Sequence, residues 1–276
     1  MTKWHTLLSG ALFLSKPSRL PAFFIGHGSP MNALEQNAFT AEWKKMFAGL
    51  TGVRALLMVS AHWVTPGSQV TAMPQPRTIH DFGGFPRELF QVTYPAPGSA
   101  EIAEEIINAL APRPAKADAS WGLDHGTWSI LVHALPEPKI PVLQLSIDGK
   151  ASPADFFAIG RSLRPLREQG ILVCGSGNIV HNLSRVDWSR LEEPGFAHDW
   201  AKEAADLSRD YLLQRQWQKL VDFPSLPQSM QVAINTAEHY VPLIYILGAG
   251  HEEENLRLFN DVAVGGALTM TSVQLG

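Results

Sequence analysis

Cysteine is nearly missing from this chain. Cys174 stands alone in the apolar run Ile171-Leu172-Val173-Cys174, which excludes an intrachain disulfide and any CxxC metal motif and points to a reducing, cytoplasmic setting. Long hydrophobic runs are missing too: no stretch of about eighteen apolar residues occurs, so no transmembrane helix is expected. Basic clusters are absent. With 22 Lys+Arg against 26 Asp+Glu and a net charge of -4, nothing tracks a phosphate backbone, and nucleic acid is not an expected partner. Leu7 to Leu14 is apolar and follows Lys3, but no A-x-A-like cleavage site comes after it and Lys16, Pro17 and Arg19 interrupt it. Residues 1–19 are therefore expected to form an N-terminal extension and not a secretion signal. Several catalytic signatures also fail: His251-Glu252 lacks the second His of HExxH, Gly175-Ser176-Gly177 is not GxSxG, and no Walker or GxGxxG pattern follows a strand.

What is present is enough apolar material, 45% of 276 residues, to bury a sizeable core. Short β-rich runs alternate with helical stretches, which predicts a single α/β domain over 20–276, with a central mostly parallel or mixed sheet flanked by helices. Strands are expected at Ala22–Ile25, Ala55–Ser60, Gln69–Met73, Val142–Ile147, Ile171–Gly175 and Ala267–Gln274. Helices are expected at Ala38–Ala48, Ser99–Leu110, Thr127–Ala134, Pro153–Arg167, Phe196–Gln214 and Glu238–Leu247. Ser152-Pro153 supplies an N-cap followed by proline at the first helical position. The Pro- and Gly-rich, aromatic-bearing connection Pro74–Pro97 reads as a lid or pocket wall.

Five of the ten histidines fall in compact motifs where an element begins or ends: Gly26-His27-Gly28-Ser29-Pro30, Ser60-Ala61-His62-Trp63, Asp124-His125-Gly126, Asn178-Ile179-Val180-His181-Asn182 and Glu238-His239-Tyr240. Neutral imidazole suits zinc, iron and copper, and strand ends are where α/β proteins build sites, so one metal centre assembled from distant segments is expected. His27 and His62 each follow an apolar strand, and His181 follows a strand that turns into a glycine-bearing loop. Of Glu238 and His239, neighbours that diverge by about 100° on a helix, only one faces a given metal. His125, with Asp124 as a cap for the following helix, suits a proton donor or acceptor beside the centre. His80, in the Pro74–Pro97 connection, is a candidate for substrate contact.

In order and spacing these motifs resemble the class III extradiol ring-cleavage dioxygenases, and more closely their DOPA 4,5-dioxygenase branch, from about Leu20 to the C-terminus. The resemblance implies a non-haem Fe(II) at the open end of an α/β fold, with His27, His62 and His239 as ligands. It places His181 at the metal, as a fourth ligand or an acid/base, and His125 in a proton-transfer or oxygen-stabilising position. Many class III enzymes use two His and a carboxylate, which leaves Glu238 as the alternative third ligand.

The implied substrates are O2 and a catechol, DOPA first, opened to seco-DOPA, a betalamic acid precursor. A histidine-rich site also binds Zn(II), which lacks the redox change oxygen activation requires, so isolated protein is expected to carry zinc. A zinc hydrolase and a non-catalytic binding member are the competing readings. Trp63, Phe82, Phe85, Tyr94, Trp128 and Tyr240 are candidates for an aromatic pocket.

Overall fold

A computed structural model describes residues 19–191 and 193–276; apart from Arg19, the expected extension 1–19 lies outside them. In chain order the strands are β1 (Ala22–Gly26), β2 (Ala55–Thr65), β3 (Ser68–Thr71), β4 (Ala115–Asp118), β5 (Val142–Asp148), β6 (Ile171–Gly177), β7 (Leu256–Phe259), β8 (Ala263–Val264), β9 (Leu268–Thr269) and β10 (Ser272–Leu275). The helices are α1 (Ala38–Ala48), α2 (Ala100–Ala109), α3 (His125–Ala134), α4 (Pro153–Ser162), α5 (Arg164–Glu168), α6 (Asp199–Leu213), α7 (Trp217–Val221), α8 (Gln228–Ala233) and α9 (Val241–Ala249).

Eight strands form one mixed sheet in the order β4-β3-β5-β2-β6-β1-β10-β7. Its centre, β5-β2-β6-β1, is parallel, while β3 and β10 run antiparallel to their inner neighbours. The central strands are buried on both faces, which is why they read as continuous apolar runs. Alternate residues feed two cores. Phe24, Leu57, Val59 and Val173 pack with residues of α2, α4, α6 and α9, and Phe23, Ile25, Leu56, Met58 and Cys174 pack with residues of α1 and α3. The expected single α/β domain with a mixed sheet is what forms.

Local chemistry accounts for the helix starts. Ser152 and Asp155 form a capping box at α4, Asn37 and Thr40 form one at α1, and Ser99 accepts the Ile102 amide at α2. Three expected elements are corrected. Pro153–Arg167 is two helices, broken at Leu163 before Pro165 enters the first turn of α5. Ala267–Gln274 is two short strands, β9 and β10. Glu238 and His239 lie in a 3-10 turn, Ala237–His239, that leads into α9.

Candidate metal centre

Strand register assembles the site. Ser176 of β6 is opposite Ile25 of β1 on one side and Ser60 of β2 on the other. His27 and His62 each follow their partner by two residues, so both emerge at the carboxyl edge of the parallel sheet, flanking Ser176. His62 was expected just beyond its strand. It lies inside β2, which continues to Thr65 through a register shift against β5 between Val59 and Val64.

Five imidazoles converge here. The His27 and His62 Nε2 atoms are 3.4 Å apart, and ring nitrogens of His27, His62 and His125 all lie within 4.8 Å of one another. The His239 ring centre is 4.9 Å from that of His62 and 5.4 Å from that of His27, and His181 stacks flat on His239 at 3.5 Å. Glu238 turns aside: its carboxylate accepts from Thr236 and lies 3.3 Å from His239 Nδ1.

The tautomer of His27 follows from its neighbours. Ser176 has a single hydroxyl hydrogen, donated to the Gly126 carbonyl at 2.5 Å, so the contact of 2.9 Å between its oxygen and His27 Nδ1 makes Nδ1 the donor. His27 Nε2 is then bare and faces His62 Nε2, an opposition of nitrogens that a bound cation satisfies. Burial first, then the surrounding histidines, pushes the His27 and His62 pKa values well below the ordinary imidazole value, although Asp81 partly opposes this at His62. Burial and His239 bring His181 down to about 3, with Glu238 opposing. Neutral imidazole is the form that ligates metal.

Two glycines let these groups approach. A Cβ on Gly126 would sit 2.6 Å from Ser60 Oγ and 2.9 Å from His62 Cδ2, and one on Gly177 would run into the His239 carbonyl. Ser176→Ala leaves the Gly126 carbonyl and His27 Nδ1 without their partner. A loss of roughly 10–100-fold in metal affinity is expected, measurable by chelator competition.

Other sequence readings are redistributed. Asp124 precedes α3 but does not cap it with its side chain; its carboxylate accepts from Ser60 and Gln144, both at 2.6 Å. The α3 amide at His125 is taken instead by Asp81 at 2.9 Å. Tyr94 and Tyr240 belong to the core, their hydroxyls donating to the carbonyls of Leu135 and Leu220. Trp128 is fully buried and donates to Ile79, Trp63 stacks on Trp121, and His80 bonds the Val92 carbonyl. Phe82, whose ring centre is 5.5 Å from that of His125, and Phe85 behind it remain as the aromatic wall, so the Pro74–Pro97 connection lines the site. Asp81 was not legible from sequence. It stands in an aperiodic loop, and its only signal is a carboxylate beside His80.

A parallel-centred sheet with imidazoles from separate segments gathered at its carboxyl edge is the arrangement of a metal-binding α/β protein. The chain matches over residues 19–266 the family described as the catalytic LigB subunit of aromatic ring-opening dioxygenase, and it belongs to that family of metal-dependent extradiol dioxygenases. It is 42% identical over 265 residues to the Escherichia coli (strain K12) protein named 4,5-DOPA dioxygenase extradiol, covering 94% of this chain and 96% of that one. A Beta vulgaris protein of the same name is 32% identical over 258 residues, 91% of this chain and 94% of its own. The crystal structure of an uncharacterised Escherichia coli K12 protein superposes with a TM-score of 0.79 at 38% identity, covering 94% of this chain and all of that one. Among the described residues, no helix is long and apolar enough to cross a membrane.

Proposed function

We propose that this protein cleaves the ring of a catechol with O2 on the extradiol side, using Fe(II) held by His27, His62 and His239, and that DOPA is the first substrate to test. The observation that carries the reading is the bare His27 Nε2 facing His62 Nε2 with the His239 ring alongside. The extent and names of the similar proteins support DOPA, and 4,5-cleavage of it would give seco-DOPA. Held by these imidazoles, a redox-active metal would supply Lewis acidity and electron transfer between catechol and O2.

The chain's own groups handle the protons. His181, held neutral by burial, is the base for a catechol hydroxyl, and the nearby Glu238 carboxylate stabilises the imidazolium that results. His125, nearest His62 and Phe82, is the acid on the oxygen side. Phe82 and Phe85 exclude water and offer a ring face to an aromatic substrate. The buried, unpaired Cys174 suits a reducing, cytoplasmic location.

The grouping of His27, His62 and His125 nitrogens within 4.8 Å favours a second reading, in which His125 takes a ligand position. Retention of tight metal binding by His125→Ala, with turnover lost, would favour the first. Zn(II) is expected to occupy the purified protein on affinity grounds. Protein stripped and reconstituted anaerobically is expected to consume O2 with DOPA or a simple catechol in the Fe(II) form only, giving a yellow ring-opened product. Equal turnover by iron-free Zn(II) protein would overturn the assignment.

A further inference from the structure

Asp81 sits where the loop 74–97 meets two of the clustered histidines. Its Oδ1 accepts the His125 backbone amide at 2.9 Å and lies 3.0 Å from His125 Nδ1, while Oδ2 lies 3.5 Å from His62 Nδ1. The approach to His125 Nδ1 is oblique, and that buried nitrogen has no aligned hydrogen-bond partner. The carboxylate is largely covered, at 18% exposure, and no lysine or arginine pairs with it among the described residues. A partly covered carboxylate without a cationic partner is favoured by protons on its neighbours that face it. Neither Nδ1 makes an aligned hydrogen bond to Asp81, but protons on the two Nδ1 atoms would place positive charge beside it at 3.0 and 3.5 Å, and a neutral imidazole carrying its proton at Nδ1 has its lone pair at Nε2. His62 Nε2 is the atom that faces His27.

We propose that Asp81 is a positioning residue that sets the tautomers of His62 and His125 together. It keeps His62 Nε2 bare to face the metal and leaves His125 Nε2 to take up a proton and return it at the reacting oxygen, and it ties that choice to the seating of the loop carrying Phe82. The inference rests on the metal reading above and adds to it a single carboxylate serving one ligand and one proton-handling histidine. Ser176 performs the same service for His27 from the opposite side, so the two facing nitrogens are prepared by different elements.

Asp81→Asn separates the role from mere structure. Asparagine keeps the shape and an oxygen for the His125 amide, but it offers an NH2 donor where Oδ2 faced His62 Nδ1. That donor favours a lone pair at Nδ1 and drives the proton to Nε2, the metal-facing nitrogen. Co(II) affinity, measured by chelator competition, is expected to fall about 10–100-fold, the usual cost of losing such a partner, with Asp81→Glu recovering part of it. Nitrogen-15 NMR of histidine-labelled, metal-free protein should show one more Nε2–H tautomer, that of His62, in Asp81→Asn than in wild type, with circular dichroism unchanged. Wild-type affinity and an unchanged tautomer pattern in Asp81→Asn would overturn the role of Asp81 alone. A loss as large as that of His27→Ala would make Asp81 a ligand and overturn positioning. Failure of the wild-type protein itself to take up Co(II) would remove the metal reading and this inference with it.

Discussion

His27→Ala is expected to abolish stoichiometric metal uptake and reduce turnover to background, while leaving the protein folded. His27 is 1% exposed, and its imidazole is oriented by Ser176 before any metal arrives. Loss of an outer-shell partner typically costs 10–100-fold in affinity, so loss of the ligand itself should exceed about 100-fold. Alanine at this position leaves a space beside Ser176 and His62 but removes a buried polar ring whose pKa is depressed, so the metal-free variant should melt close to the metal-free wild type. Metal content by elemental analysis and oxygen uptake with a catechol check the result. A variant that retained full metal and turnover would remove His27 from the ligand set.

Arg167→Ala is expected to destabilise the fold by about 3–5 kcal/mol, the usual cost of breaking a buried ion pair from one side. Arg167 is fully buried in α5. It donates to the carbonyls of Leu20 (2.8 Å), Ala249 (2.7 Å) and Leu275 (3.2 Å) and to both Glu254 oxygens (2.9 and 2.7 Å). One side chain thus joins the chain entering β1, the end of α9 and the end of β10, and its removal strands four acceptor groups at once. Burial alone would raise the Glu254 pKa, but Arg167, the His251 amide and Arg19 outweigh it and hold the group below its ordinary value. Because the folded pKa is the lower one, this contribution is fully present above the unfolded glutamate value of about 4.3 and fades as pH falls through the folded value. Denaturant midpoints at pH 7 should therefore differ strongly between wild type and variant, and the gap should narrow below about pH 4. An equal gap at both pH values would remove Glu254 from the account.

How much of this was legible depended on where each residue's information lay. His27 and His62 stand just beyond or within apolar strand runs, and that local pattern carries both the strand and its exit point. The strands β4 and β7 were missed for a converse reason: Ala115-Lys116-Ala117-Asp118 and Leu256-Arg257-Leu258-Phe259 are short, charge-bearing and on or at the sheet edges, where little burial shapes the sequence. The short helices α7 and α8 span too few residues to show a clear period. Ser176 was visible only as part of a failed nucleophile motif, because its meaning comes from pairing β6 with both β1 and β2. Asp124 was misread for a related reason. A carboxylate before a helix ordinarily caps it, but Ser60 and Gln144 compete for this one from neighbouring strands.

The proposed ligands His27 and His239 stand more than two hundred residues apart in the chain, and His62 lies on a third segment. A metal bridging them acts as a reversible cross-link that closes the chain into large loops. It binds the native arrangement and has no equivalent site in the open chain, so occupancy and folding are thermodynamically linked, with stabilisation growing as the logarithm of free metal once the dissociation constant is passed. Metal supply would thus govern how long the protein survives as well as whether it turns over.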